Sequence, residues 1–212
     1  MNQIYTIYQT LYKHYGAQGW WPTFDENIKD KTFEVALGSI LTQNTTFTSV
    51  ETSLQNLHVE NAIDPDVILN MNIDKFKTLI KPSGYYNQKA EYILAFIKFY
   101  KALDGRTPSR DDLLHVKGIG EETADSILLY GYEQCEFKID AYTKRLLIEL
   151  GLVDAKVKYK EMKKLMQDSL TQEIKDKKEL LKVYQEYHAL IVAHGKKFYS
   201  KKPYGVGCFL KN

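Results

Sequence analysis

Apolar residues fall three and four positions apart along almost the whole chain, which is the spacing of one face of an α-helix. Ile4, Tyr5, Tyr8, Leu11, Tyr12 and Tyr15 make one such face, ending near Gly16. Phe33, Leu37, Ile40 and Leu41 make another over 31–41. The same spacing predicts helices over 47–57, 64–69, 73–80, 87–103, 111–115, 121–130, 140–151, 156–170 and 177–193. Asp64, Asp74 and Asp140 stand at helix starts, where a carboxylate satisfies exposed N–H groups and meets the positive end of the helix dipole. No stretch alternates apolar and polar residues between hairpin turns. The segment 136–140 reads as extended but isolated. The fold class is therefore all-α, built from many short helices. A chain of 212 residues with 44% hydrophobic content can bury a real core, as one domain or two small ones.

No apolar run nears the roughly 20 residues of a membrane span, so no membrane partner is expected. The N-terminal MNQIYTIYQTLYKHY lacks the basic start and apolar stretch of a signal peptide, which points to a cytoplasmic location. The two cysteines, Cys135 and Cys208, are too few for a disulfide framework or a four-cysteine metal site. His14, His58, His115, His188 and His194 form no pair at helical spacing and are assigned no metal or catalytic role. The net charge of +2 does not announce a nucleic-acid protein. Its distribution says more. Past Glu186 there is no acidic residue, while Lys196, Lys197, Lys201, Lys202 and Lys211 follow. That is the pattern of a local phosphate-binding patch and equally of a solubilising tail.

The most informative segment is LLHVKGIGEETADSILLYG. Val116-Lys117-Gly118-Ile119-Gly120 lies between two short helices, and two glycines one residue apart permit a tight turn and close approach of another backbone. The helix from Glu121 starts with N–H groups that have no intrahelical acceptor. With the dipole, they form an anion site that needs no basic side chain. A phosphate held there positions a protein on DNA without reading sequence. Some twenty residues on comes Ile139-Asp140-Ala141-Tyr142-Thr143-Lys144-Arg145.

These residues resemble the helix-hairpin-helix DNA glycosylases of the endonuclease III superfamily. VKGIGEETA stands where that family has LPGVGxxTA, and IDAYTKR where it has VDTHVxR with its catalytic aspartate. Leu41-Thr42-Gln43-Asn44-Thr45-Thr46 resembles the helix end whose glutamine lies against DNA. Gly84-Tyr85-Tyr86-Asn87-Gln88-Lys89-Ala90 resembles the GxYxxKA element, and His194-Gly195 the HG ahead of the iron–sulfur cysteines. The resemblance implies two helical domains with a central cleft. One is a helical barrel over 22–134 that ends with the hairpin; the other joins 1–21 to 135–212.

Three departures narrow the branch. Glu122 occupies the place of the lysine that forms a Schiff base with the sugar in bifunctional members, so the resemblance implies a monofunctional enzyme without lyase activity. Gly38 occupies the place of the catalytic glutamate of the adenine-from-mismatch branch. The four cluster cysteines are reduced to Cys208, which implies no iron–sulfur cluster. The C-terminal loop must then be held by Phe198, Tyr199 and Tyr204 or by lysine contacts, and a buried lysine there would need an acid, an anion or a modification. A monovalent cation could bridge the hairpin to a phosphate. Gly19-Trp20-Trp21-Pro22, with Phe47, resembles the bacterial 3-methyladenine DNA glycosylase III group.

The resemblance thus implies excision of alkylated purines, chiefly 3-methyladenine, from double-stranded DNA by a monomer in the bacterial nucleoid. The nucleotide must be flipped out of the duplex. Trp20, Trp21 and Phe47 would wall the pocket with aromatic faces that attract a cationic base, and Lys202 could approach it. Gln43 or Asn44 would fill the gap, and Lys117, Gly118, Ile119 and Gly120 would hold the phosphate. Asp140 would stabilise positive charge at C1′, activate water, or do both; without the resemblance, the same aspartate reads as a helix cap. Trp20, Trp21 and Phe47 equally read as core, and Tyr85 and Tyr86 as packing residues. The alternatives are a glycosylase for thymine or uracil opposite guanine, and a non-catalytic DNA-binding protein that retains the hairpin.

Overall fold

A computed structural model describes residues 2–19 and 30–211. Eleven α-helices are seen there: α1 (Gln3–Tyr15), α2 (Lys31–Leu41), α3 (Phe47–Val59), α4 (Pro65–Asn70), α5 (Ile73–Ile80), α6 (Tyr86–Ala102), α7 (Arg110–Leu114), α8 (Glu121–Ser126), α9 (Ala141–Glu149), α10 (Tyr159–Glu173) and α11 (Lys177–Phe198). No strand occurs among the described residues. The chain divides into two compact units, one of 30–132 and one of 2–19 with 133–211.

The helix starts follow local side-chain chemistry. Asp64 accepts hydrogen bonds from the N–H groups of Asp66 and Val67, and Pro65 needs no acceptor at the first helical position. Asn72, rather than Asp74, caps α5; Asp74 lies in its first turn. Ser109 and Asp112 form a reciprocal capping box on α7. The helix predicted over 121–130 is α-helical only to Ser126, and Ile127–Gly131 widens into a π turn. Such widenings reflect tertiary packing rather than propensity; here the Thr32 hydroxyl donates to the Gly131 carbonyl at 2.9 Å.

In the 30–132 unit, Phe33, Leu37, Ile40 and Leu41 of α2 are fully buried among Leu54, Phe76, Ile93, Phe96 and Ile127. The two hairpin helices are pinned by charge. Arg110 of α7 donates from Nε and Nη2 to the two carboxylate oxygens of Asp125 on α8, at 2.7 and 3.2 Å. Asp125 is wholly buried. Truncating one partner of a buried pair strands the other charge, so Arg110→Met is expected to destabilise the protein by about 3 kcal/mol. Urea unfolding measures it; a change under 1 kcal/mol would deny the pair its role.

In the other unit, α1 packs on α10 and α11, and α9 packs on α11. Phe137, Tyr184, Tyr187, Met166 and Leu190 fill the interior. Gly195 lets α11 lie against α9, since a Cβ there would meet the Tyr142 ring at 2.4 Å. The C-terminal loop is held by a chain of side-chain hydrogen bonds. Tyr15 Oη lies 3.0 Å from His194 Nδ1, His194 Nε2 lies 3.2 Å from Cys208 Sγ, and Tyr199 Oη donates to the same sulfur at 3.3 Å. Burial pulls His194 down to about 4. Arg145 donates to the Tyr199 carbonyl at 2.8 Å and covers the Tyr204 ring. Lys211, which is exposed rather than buried, pairs with Glu149, its Nζ 2.6 Å from Glu149 Oε2.

Candidate functional site

The hairpin, Val116–Gly120 between α7 and α8, uses its two glycines differently. Gly118 has φ +85, and a Cβ there would meet the Tyr92 ring at 2.1 Å, so this glycine is demanded by the protein's own packing. Gly120 caps α8 with ordinary extended backbone, and a Cβ on it would meet nothing within 4 Å. Its openness faces outward. Ile119 is buried, so only its backbone is on offer to a ligand. Lys117 is exposed and paired with Glu91 at 2.8 Å. Glu122 is exposed on the first turn of α8.

Gln43 and the hairpin come together. The Gln43 side-chain amide donates to the Gly118 carbonyl at 2.9 Å and to Thr123 Oγ1 at 3.1 Å. Gln43 is therefore a cross-link between the end of α2 and the hairpin. Asn44, the next residue, is exposed and left-handed, with φ 53. Phe47 opens α3 and is 43% exposed, so it is not a core residue. Tyr85 departs from its expected packing role: it is 68% exposed, with φ 46. Gly38 is buried in α2, and a Cβ there would sit 3.7 Å from Leu54. Lys202 is exposed, with its Nζ 6.0 Å from the Tyr204 ring centre. Trp20 and Trp21 lie outside the described residues. The stretch just before them ends on a carboxylate: Glu186 of α11 accepts from the N–H groups of Gln18 and Gly19.

Asp140 is the N-cap of α9, and its two oxygens do different work. Oδ1 accepts from Thr143 N at 2.7 Å and from Thr143 Oγ1 at 2.8 Å. Oδ2 faces His188 Nε2 of α11 at 3.5 Å. Burial pushes the carboxyl up, but His188, Lys138 and the Thr143 N–H together outweigh it and hold Asp140 well below the usual carboxylate range. Asp140 is thus ionised throughout the neutral range. His188 had been given no role from sequence. The signal was its register: Tyr184, His188 and Ile191 share the buried face of α11.

The depressed value fixes a sign. Charge on Asp140 stabilises the fold above the unfolded carboxyl value near 4 and loses that effect as pH falls through the lower folded value. Without His188 the folded value rises. In His188→Gln burial is no longer offset by the histidine, so any activity that needs ionised Asp140 is expected to show its acid limb above pH 4, where in the wild type it lies lower. Single-turnover rates across pH 4 to 8, corrected for spontaneous base loss, measure this. An unmoved limb would free Asp140 from His188.

A model of the HhH-GPD superfamily of base excision DNA repair proteins matches residues 37–172. The chain belongs to that family, and its class of activity is that of a base excision DNA glycosylase. It is 41% identical to a Methanocaldococcus jannaschii protein, named provisionally as a DNA repair glycosylase, over 99% of this chain and 94% of that one. It is 30% identical to an endonuclease III of Sulfolobus acidocaldarius, over 85% of this chain and 80% of that one. Among solved structures it resembles the H. pylori 3-methyladenine DNA glycosylase bound to 1,N6-ethenoadenine, at 25% identity and a TM-score of 0.76, over 93% of this chain and 98% of that one.

An iron–sulfur cluster of the kind carried by related enzymes needs four thiolates. The residues present do not fit one. The sequence holds two cysteines, Cys208 Sγ is engaged by His194 and Tyr199, and Cys135 Sγ lies 3.6 Å from the Lys177 carbonyl.

Proposed function

We propose that the protein is a monofunctional glycosylase that releases alkylated purines, chiefly 3-methyladenine, from duplex DNA and leaves an abasic site. The observation that carries this reading is a hairpin helix that begins EETADS and offers no lysine, in a chain whose Asp140 is ionised. Without an amine beside the sugar, water is the nucleophile. Asp140 Oδ1 is occupied by the cap, and Oδ2 is the oxygen that stabilises positive charge at C1′ or orients the water. Loss of the proton-donating acid at Gly38 is tolerable only if the base leaves readily, and a cationic alkylated purine does.

The hairpin binds the backbone phosphate. Gly120 leaves room for it, and the first N–H groups of α8, which have no side-chain cap, receive it. Asn44 is the wedge; Gln43 braces the wedge loop against the hairpin. Phe47, 43% exposed, supplies an aromatic face for the cationic base. The likeness to the H. pylori enzyme supports this substrate class; the likeness to endonuclease III supports only the family, because Glu122 replaces the nucleophile.

Duplexes that each contain 3-methyladenine, a thymine–guanine pair or a uracil–guanine pair test the reading, with borohydride present in parallel. The expected result is release from the first duplex alone and no covalent adduct. A borohydride-trapped adduct would restore lyase chemistry. Release from the mismatches alone would replace the substrate class.

A further inference from the structure

Lys89 is a buried cation that the chemistry above does not use. It lies near the start of α6 at 2% exposure, and its Nζ donates to the Leu41 carbonyl at 2.7 Å and the Ser83 carbonyl at 2.6 Å. A positive charge near a helix N-terminus opposes the dipole. Burying an ammonium against neutral carbonyls is unfavourable, and burial alone pulls Lys89 down to about 8. A methionine would fill the same space without burying a charge, but it would leave both carbonyls without a donor.

What the ammonium does is bring two separate chain segments to one nitrogen. Leu41 ends α2, and three residues later the chain reaches Asn44. Ser83 ends a short 3-10 turn, Lys81–Ser83, and two residues later the chain reaches Tyr85. Both destinations are exposed residues with left-handed backbone. Each segment also has its own anchor. Gln43 ties the first to the hairpin. Ser53 and Ser83 hydroxyls donate to the Ile80 carbonyl, and Asn56 donates to the Leu79 carbonyl, which hold the 3-10 turn on α3. Lys89 adds a link between the two segments.

We propose that Lys89 is a positioning residue, a clamp that fixes the tips Asn44 and Tyr85 relative to each other where they meet the duplex. This rests on the reading above in which Asn44 faces DNA; Tyr85 is placed beside it by its exposure and by the nitrogen that the Leu41 and Ser83 carbonyls share. Because each segment keeps its own anchor, loss of the clamp disturbs the pair of tips and leaves the fold standing.

The test uses a duplex with a tetrahydrofuran abasic site and 2-aminopurine opposite it, whose fluorescence reports what enters the gap. This probe does not depend on which base is excised. In the wild type, fluorescence is expected to change on binding. In Lys89→Met, the change at saturation is expected to be largely lost and the Kd for the abasic duplex to rise about tenfold, or 1.4 kcal/mol. Affinity for undamaged duplex should hold, and the melting temperature should fall by only several degrees, the cost of two buried carbonyls left without a donor. Lys89→Gln, which can still donate to one carbonyl, should fall between, and it decides the matter if the methionine variant does not fold. A wild-type response retained in both variants overturns the clamp alone. No response in the wild type overturns the DNA-facing reading of these loops, and the clamp with it.

Discussion

Asp140→Asn is expected to slow base release on the order of 10²–10³-fold, the scale of removing one preorganised electrostatic group from a transition state. Binding to duplex DNA should not change. Asparagine caps helices as well as aspartate does, so Oδ1 still receives the Thr143 N–H and α9 keeps its start. What disappears is the charge on Oδ2 and its pairing with His188 at 3.5 Å. The melting temperature should therefore fall by only a few degrees, as about 1 kcal/mol would give in a chain of this size. Single-turnover release at saturating enzyme separates the outcomes. A rate within a few-fold of wild type would make Asp140 a cap and nothing more.

Gly118→Ala is expected to be the most destabilising of the hairpin substitutions. A left-handed backbone costs a non-glycine residue about 1–3 kcal/mol. The new methyl would also fall on the Tyr92 ring, where overpacking costs a further 1–3 kcal/mol or so. Together these approach a large part of an ordinary domain's stability. Gly120→Ala, two residues on, meets open space and should leave stability unchanged while weakening DNA binding. Urea unfolding of the two variants beside duplex affinity checks the contrast. Equal stability in both would contradict the assignment of Gly118 to packing and Gly120 to DNA.

Much of this architecture could be read from apolar spacing. The bounds of α2 and α5 coincide with the predicted 31–41 and 73–80: α5 turns one apolar stripe inward, α2 is buried on almost every side, and each has a polar residue ready at its start. The hairpin and Asp140 were legible because glycine pairs and a capping carboxylate have local signatures. Lys89 was not, since a lysine near a helix start reads as solvated and its two carbonyl partners lie 48 and 6 positions away. His188 escaped for the same reason: its meeting with Asp140 depends on how α9 packs on α11. The π turn at Ile127–Gly131 also answers to tertiary contacts rather than to its own residues. Tyr85 misled because an aromatic usually packs, and here the backbone turns it outward.

The central claim is a carboxylate-assisted release of alkylated purines by water. Incubating the wild-type protein with methylated duplex DNA, then resolving released bases by chromatography and strands by gel, tests it most directly. The expected result is free 3-methyladenine, intact strands until alkali is added, and neither product with Asp140→Asn. Strand cleavage without alkali, or methylated DNA that yields no free base, would contradict it.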